Sequence, residues 1–79
     1  MASKYIWVLT NGDGRFIKAC ETRETAKKEM EQWRESFIKI GVFAEISKLD
    51  AVYSDHISFK VTARDGQVKE MNARQTILY

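Results

Sequence analysis

The sequence predicts an α+β fold: a two-layer sandwich in the order β-β-α-β-β-β, with one amphipathic helix on one face of an antiparallel sheet. Three observations predict it. Two short apolar runs flank a glycine-rich corner near the amino terminus, one stretch of helical periodicity follows, and the remainder returns to strand-like alternation. At 79 residues the chain is read as a single domain, 1–79, near the lower size limit for folding without staples.

The first element is a hairpin. In "YIWVLTNGDGRFIKAC", residues 5–20, the turn signal Asn11-Gly12-Asp13-Gly14 separates two strand-like runs. With all four residues in the loop, Val8 faces Ile17, Trp7 faces Lys18 and Ile6 faces Ala19. One face then carries Ile6, Val8, Ile17 and Ala19; the other carries Tyr5, Trp7, Leu9, Phe16 and Lys18. A one-residue change in loop register alters these pairings.

A helix over about residues 23–40 comes next. Thr22 suits an N-cap, Glu24 lies in the first turn, and Gly41 suits a C-terminal stop. Ala26, Met30, Trp33, Phe37 and Ile40 recur at spacings of four and three, which aligns one apolar stripe. Glu24 with Lys28, and Glu35 with Lys39, form favourable i,i+4 pairs elsewhere on the cylinder.

After Gly41, "VFAEISKL" alternates with Val42, Ala44 and Ile46 on one side. "DAVYSDH" reads as a loop with a short extended piece. "ISFKVTA" places Ile57, Phe59, Val61 and Ala63 inward and Ser58, Lys60 and Thr62 outward. Arg64-Asp65-Gly66 predicts a three-residue hairpin loop with Gly66 left-handed, pairing Phe59 with Met71 and Lys60 with Glu70. The tail "TILY" either adds a strand or covers the core. A helix over 68–78 is the alternative, because Val68, Met71, Gln75 and Leu78 have helical spacing and Glu70 would pair with Arg74.

Thirteen basic and eleven acidic residues give a formal net charge of +2, interspersed rather than gathered in a basic stripe. The single cysteine, Cys20, excludes an intrachain disulfide framework and fits a reducing compartment. The longest apolar run, Tyr5 to Leu9, is too short to span a bilayer, and no signal peptide is recognised. A cytoplasmic protein without membrane association is the expectation.

Little in the chain carries chemistry, so the expectation is a non-enzyme with no cofactor and no metal. Asp55-His56 with Cys20 is the one route to nucleophilic catalysis, and no elbow or oxyanion loop accompanies it. One Cys and one His far apart give no zinc-ligand spacing. The Asn11–Gly14 stretch lacks the further acidic positions of a calcium loop. Gly12-Asp13-Gly14 opens a strand rather than a helix, unlike a dinucleotide fingerprint.

The aromatic hairpin is different. A strand buried on one side alternates apolar with polar, yet "YIWVL" is apolar on both faces. Either this strand is central and its second face is covered by the tail or a second subunit, or Tyr5, Trp7 and Phe16, with Lys18 and Arg15, form an exposed partner-binding patch. Aromatic and arginine side chains are enriched at binding hot spots. The same residues could stack unpaired bases and meet phosphates, so binding to RNA or single-stranded nucleic acid is the alternative reading.

In size and style the chain resembles the compact accessory proteins of bacteriophages: one short hairpin, "YIWVLTNGDGRFIKA", one amphipathic helix, "TAKKEMEQWRESFIKIG", and a β-rich tail. The resemblance implies a stoichiometric inhibitor or modulator of a host protein, such as a defence nuclease, a toxin or a polymerase, acting in the host cytoplasm. A protein-binding module, a homodimer contact and an unpaired sheet edge open to strand addition complete the expectations.

Overall fold

The computed structural model describes residues 4–78, which form one five-stranded sheet and one helix. The strands are β1 (Lys4–Thr10), β2 (Phe16–Cys20), β3 (Phe43–Ile46), β4 (His56–Ala63) and β5 (Val68–Leu78), with α1 (Arg23–Ile40) between β2 and β3. Every pairing is antiparallel, in the spatial order β2-β1-β5-β4-β3. This is the predicted α+β order.

The helix begins and ends where its caps require. Thr22 has extended backbone, and its hydroxyl accepts a hydrogen bond from the Thr25 N–H at 3.2 Å. Gly41 terminates the helix in the left-handed region at φ 72°, a conformation a side chain would strain. Ala26 and Met30 are fully buried, while Trp33 and Phe37 are half-buried against the core. Ile40, read as the last residue of the stripe, is exposed one residue before the cap.

Both hairpins close by the same device. In the second, the Ala63 N–H donates to the Gln67 carbonyl at 2.8 Å and the Gly66 N–H to the Ala63 carbonyl at 3.0 Å, with Gly66 at φ 92°. Phe59 pairs with Met71 and Lys60 with Glu70, as predicted. In the first, Asn11 belongs to the last bonded pair rather than to the loop. Its N–H donates to the Arg15 carbonyl at 3.0 Å, and its side-chain oxygen accepts from the Asp13 and Arg15 N–H groups. The loop is therefore Gly12-Asp13-Gly14, one residue shorter than expected.

That shorter loop, together with a β-bulge, corrects the hairpin pairing. Val8 pairs with Ala19, Trp7 with Cys20, Leu9 with Lys18 and Thr10 with Phe16, so Ile17 is the extra residue. Trp7, Leu9 and Cys20 lie under the helix in the core with Ile57, Phe59, Val61, Met71 and Ala73. The helix thus covers the Trp7 face and not the Ile6 and Val8 face.

Residues 68–78 are strand, which overturns the helical alternative; Tyr79 lies outside the described residues. β5 sits in the sheet between β1 and β4 and is not laid over either face. β1 is accordingly central, which accounts for its apolar character on the helix side. On the reverse side Ile6 and Val8 remain half-buried.

The β3 expectation is also corrected. A bulge between Phe43 and Glu45 makes Phe43 and Ile46 the residues packed against the core, and leaves Val42 55% exposed and Ala44 exposed. The physical reason is aromatic: Phe43 meets Phe37 edge-on at a centroid distance of 5.1 Å. The segment after β3 stays against β4 through an Asp50–Ser58 bridge with hydrogen bonds of 2.7 and 3.0 Å. Two arginines of α1 hold it from the other side. The Arg34 Nε donates to the Ser47 carbonyl at 2.7 Å and the Arg23 Nη2 to the Ala51 carbonyl at 2.8 Å.

Candidate functional site

The five residues expected to form an aromatic patch do not share a surface. Trp7 is only 2% exposed and belongs to the core. Phe16 is 64% exposed and pairs with Thr10 on the side of the sheet away from the helix. Lys18 lies on the helix side, where its Nζ donates to the Glu29 carboxylate at 2.8 Å. That hydrogen bond and the charge of Glu29 raise the lysine's pKa above its ordinary value. Tyr5 is exposed beside Ile77, and Arg15 sits in the exposed hairpin corner. The bulge and the helix position, neither visible in the alternation alone, separate them.

The Cys20 thiol is also set apart from His56. Cys20 shares the helix side with its pair Trp7, whereas His56 pairs with Arg74 on the reverse side, where Arg74 pairs with Val8. The sheet lies between thiol and imidazole. Burial pushes the Cys20 thiol pKa up, which keeps it in the less reactive neutral form. The His56 Nε2 is instead engaged with the Asn72 side-chain oxygen at 2.7 Å; because the Asn72 amide nitrogen donates to the Glu70 carbonyl, that nitrogen of His56 is the donor. Among the described residues no group of three or more His, Cys, Asp or Glu side chains could hold a metal ion. No described helix is long and apolar enough to cross a membrane.

A different surface emerges at the hairpin end of the helix face. The carboxy-terminal half of α1, the first hairpin loop and the adjoining parts of β2, β3, β4 and β5 line an open cleft of about 460 Å³. Its apolar lining includes Ile17, Trp33, Phe37, Phe43, Val61 and Met71. Ile17 is 48% exposed there because the bulge turns it to the helix side, and Trp33 and Phe37 are half-buried rather than sealed. Trp33 is braced edge-on against Phe59 at 5.9 Å and stacks on Phe37 at 6.0 Å, so the aromatic wall is fixed by the core beneath it.

The lip is polar. Asn11 and the loop residues Gly12 and Asp13 meet Gln67 and Lys69 of the other side, and the Lys69 Nζ lies 3.6 Å from the Asp13 carboxylate. Gly12 makes this closure possible, because a Cβ there would stand 2.6 Å from the Lys69 Cβ. An apolar, aromatic-walled recess of a few hundred Å³ with a few polar groups at its rim is the form ligand and partner sites take.

Sequence reasoning missed this cleft. Trp33 and Phe37 read correctly as members of the helix stripe, but the stripe does not reveal that the helix leaves part of the sheet uncovered. No family model, no curated protein and no solved structure matches this chain.

Proposed function

We propose that the protein is a non-enzymatic protein-binding module that receives an apolar side chain of a partner polypeptide in the cleft between α1, the first hairpin loop and the sheet. The observation that carries this reading is the half-exposed pair Trp33 and Phe37 forming one wall of an open apolar recess, with exposed Ile17 among its lining. Well-braced aromatic walls surrounding a desolvated recess are where interface energy concentrates. The rim groups of Asn11, Asp13, Gln67 and Lys69 supply donors and acceptors for the backbone on either side of the inserted residue. A partner held by a single recess is bound one to one, the stoichiometry of an inhibitor or modulator.

The nucleic-acid reading is the less favoured of the two, because two of its five patch residues are withdrawn: Trp7 is buried and Lys18 is engaged by Glu29. Capture from a lysate of the natural host tests the proposal, comparing the wild type with Ile17→Glu and with Val52→Ser. Val52 is 86% exposed and is not part of the cleft lining. A protein retained one to one by the wild type and Val52→Ser but lost by Ile17→Glu supports the proposal. Equal retention by all three, or retention only of RNA that falls steeply with salt, contradicts it.

A further inference from the structure

The chain has two asparagines, and of these Asn11 alone is followed by glycine. An asparagine side chain carries its amide carbon, Cγ, to where the backbone nitrogen of the next residue can close a five-membered ring upon it. Glycine obstructs that closure least, because it has no Cβ and the widest backbone freedom. Asn72 is built differently. It is followed by Ala73, lies within β5, and its Nδ2 donates to the Glu70 carbonyl at 3.3 Å.

The first hairpin loop arranges the atoms of Asn11 for this ring closure. Its side-chain oxygen accepts from the Asp13 N–H and the Arg15 N–H, both at 3.0 Å. Closure places negative charge on that oxygen, and backbone N–H groups aimed at a developing oxyanion lower the barrier to forming it. Among the described residues, neither the Gly12 N–H nor the Asn11 Nδ2 takes part in a hydrogen bond, so nucleophile and leaving group are both unencumbered. Gly12 is exposed, which gives water access to the ring once it forms.

We propose that Asn11 of the folded chain is a self-modification site, which deamidates with water as its one co-reactant and leaves a negative charge on the cleft lip. Hydroxide takes the Gly12 amide proton, and the nitrogen attacks the Asn11 Cγ. The Cγ–Nδ2 bond then breaks, and the side-chain nitrogen takes a proton from water and leaves as ammonia. Water opens the succinimide that remains. Cleavage between the ring nitrogen and Cγ gives aspartate; cleavage between that nitrogen and the backbone carbonyl carbon gives isoaspartate. Aspartate retains both accepted hydrogen bonds and strengthens them with its charge. Isoaspartate adds a carbon to the main chain beside the bonded Asn11–Arg15 pair, where Gly12 lies so close to the Lys69 stem that a Cβ has no room. Either product adds one negative charge to a lip whose charges, Asp13 and Lys69, are balanced beforehand.

Peptide mapping by mass spectrometry tests this on the full chain, held folded in mildly alkaline buffer and, in parallel, unfolded in guanidinium chloride at the same pH. Replacing the amide nitrogen by oxygen raises the mass of the peptide that contains it, and circular dichroism shows that the first sample stays folded. The expected result is a mass gain at Asn11 in the folded chain, at a rate within about tenfold of that in the unfolded chain, with Asn72 unchanged. No gain at Asn11 in the folded chain, a gain there more than about tenfold slower than in the unfolded chain, or an equal gain at Asn72 overturns the proposal, because the loop then shields the amide or does nothing to it. None of these outcomes bears on what the cleft receives.

Discussion

Ile17 and Lys18 are neighbours in sequence yet both stand on the helix side of the sheet, because the bulge sets the two of them against Leu9 alone. The consequence for Phe16 is the reverse: it leaves the face it would have shared with Trp7 and becomes a solvent-facing aromatic. Phe16→Thr is expected to change unfolding free energy by no more than about 0.5 kcal/mol, the range for surface substitutions. Urea denaturation followed by circular dichroism checks it.

Trp7 should behave oppositely. It is one of the largest fully buried side chains, and its removal leaves a cavity under the helix. Trp7→Ala is expected to cost about 3–5 kcal/mol, enough to unfold a domain of this size at moderate temperature. A variant with wild-type denaturation behaviour would place the indole outside the core.

Gly12 tests the contact between the first hairpin loop and β5. A Cβ at this position meets the Lys69 Cβ at 2.6 Å, a distance that forces one backbone to shift. Gly12→Ala is expected to destabilise by about 1–3 kcal/mol through overpacking. Lys69→Gly in the same chain should recover part of that loss, and a double-mutant cycle measures how much.

Alkaline pH should weaken the fold. Burial raises the folded-state pKa of Cys20 above its ordinary 9.0, and Glu29 raises that of Lys18 above 10.5. Below 9.0 the thiol is protonated in both states and contributes nothing to the pH dependence. Above it the unfolded chain ionises first, so stability falls as pH rises. The Lys18 contribution is complete below 10.5 and is lost as pH climbs through its higher folded value. Stability measured from pH 7 to 11 is expected to decline from about 9 upward, and Cys20→Ala should remove the first part of the decline. A rise above pH 9 would contradict these directions.

Much of the fold was legible in the sequence. The caps Thr22 and Gly41, the stripe from Ala26 to Phe37, and the Arg64-Asp65-Gly66 loop are local signals, and each acts within a few residues of where it is read. What the sequence concealed is non-local. Nothing in "FIKAC" announces that Ile17 is supernumerary, since the bulge is defined by pairing with Leu9 and Thr10. The choice between the two apolar faces of "YIWVL" depends on which side the helix covers, and alternation is symmetric on that point. Val42 and Phe43 exchanged roles because aromatic packing on Phe37 outweighed the strand phase. The cleft depends on all three, so it was hidden while its separate residues were in view.

The indole of Trp7 is sealed beneath the helix, while that of Trp33 borders an open recess. The chain has two tryptophans, so each can be observed alone, in Trp33→Phe and Trp7→Phe proteins. Collisional quenching of their fluorescence by acrylamide measures solvent access directly. Strong quenching of Trp33 and little of Trp7 is the expected result; a Trp7 quenched as readily as Trp33 would place both indoles in contact with solvent.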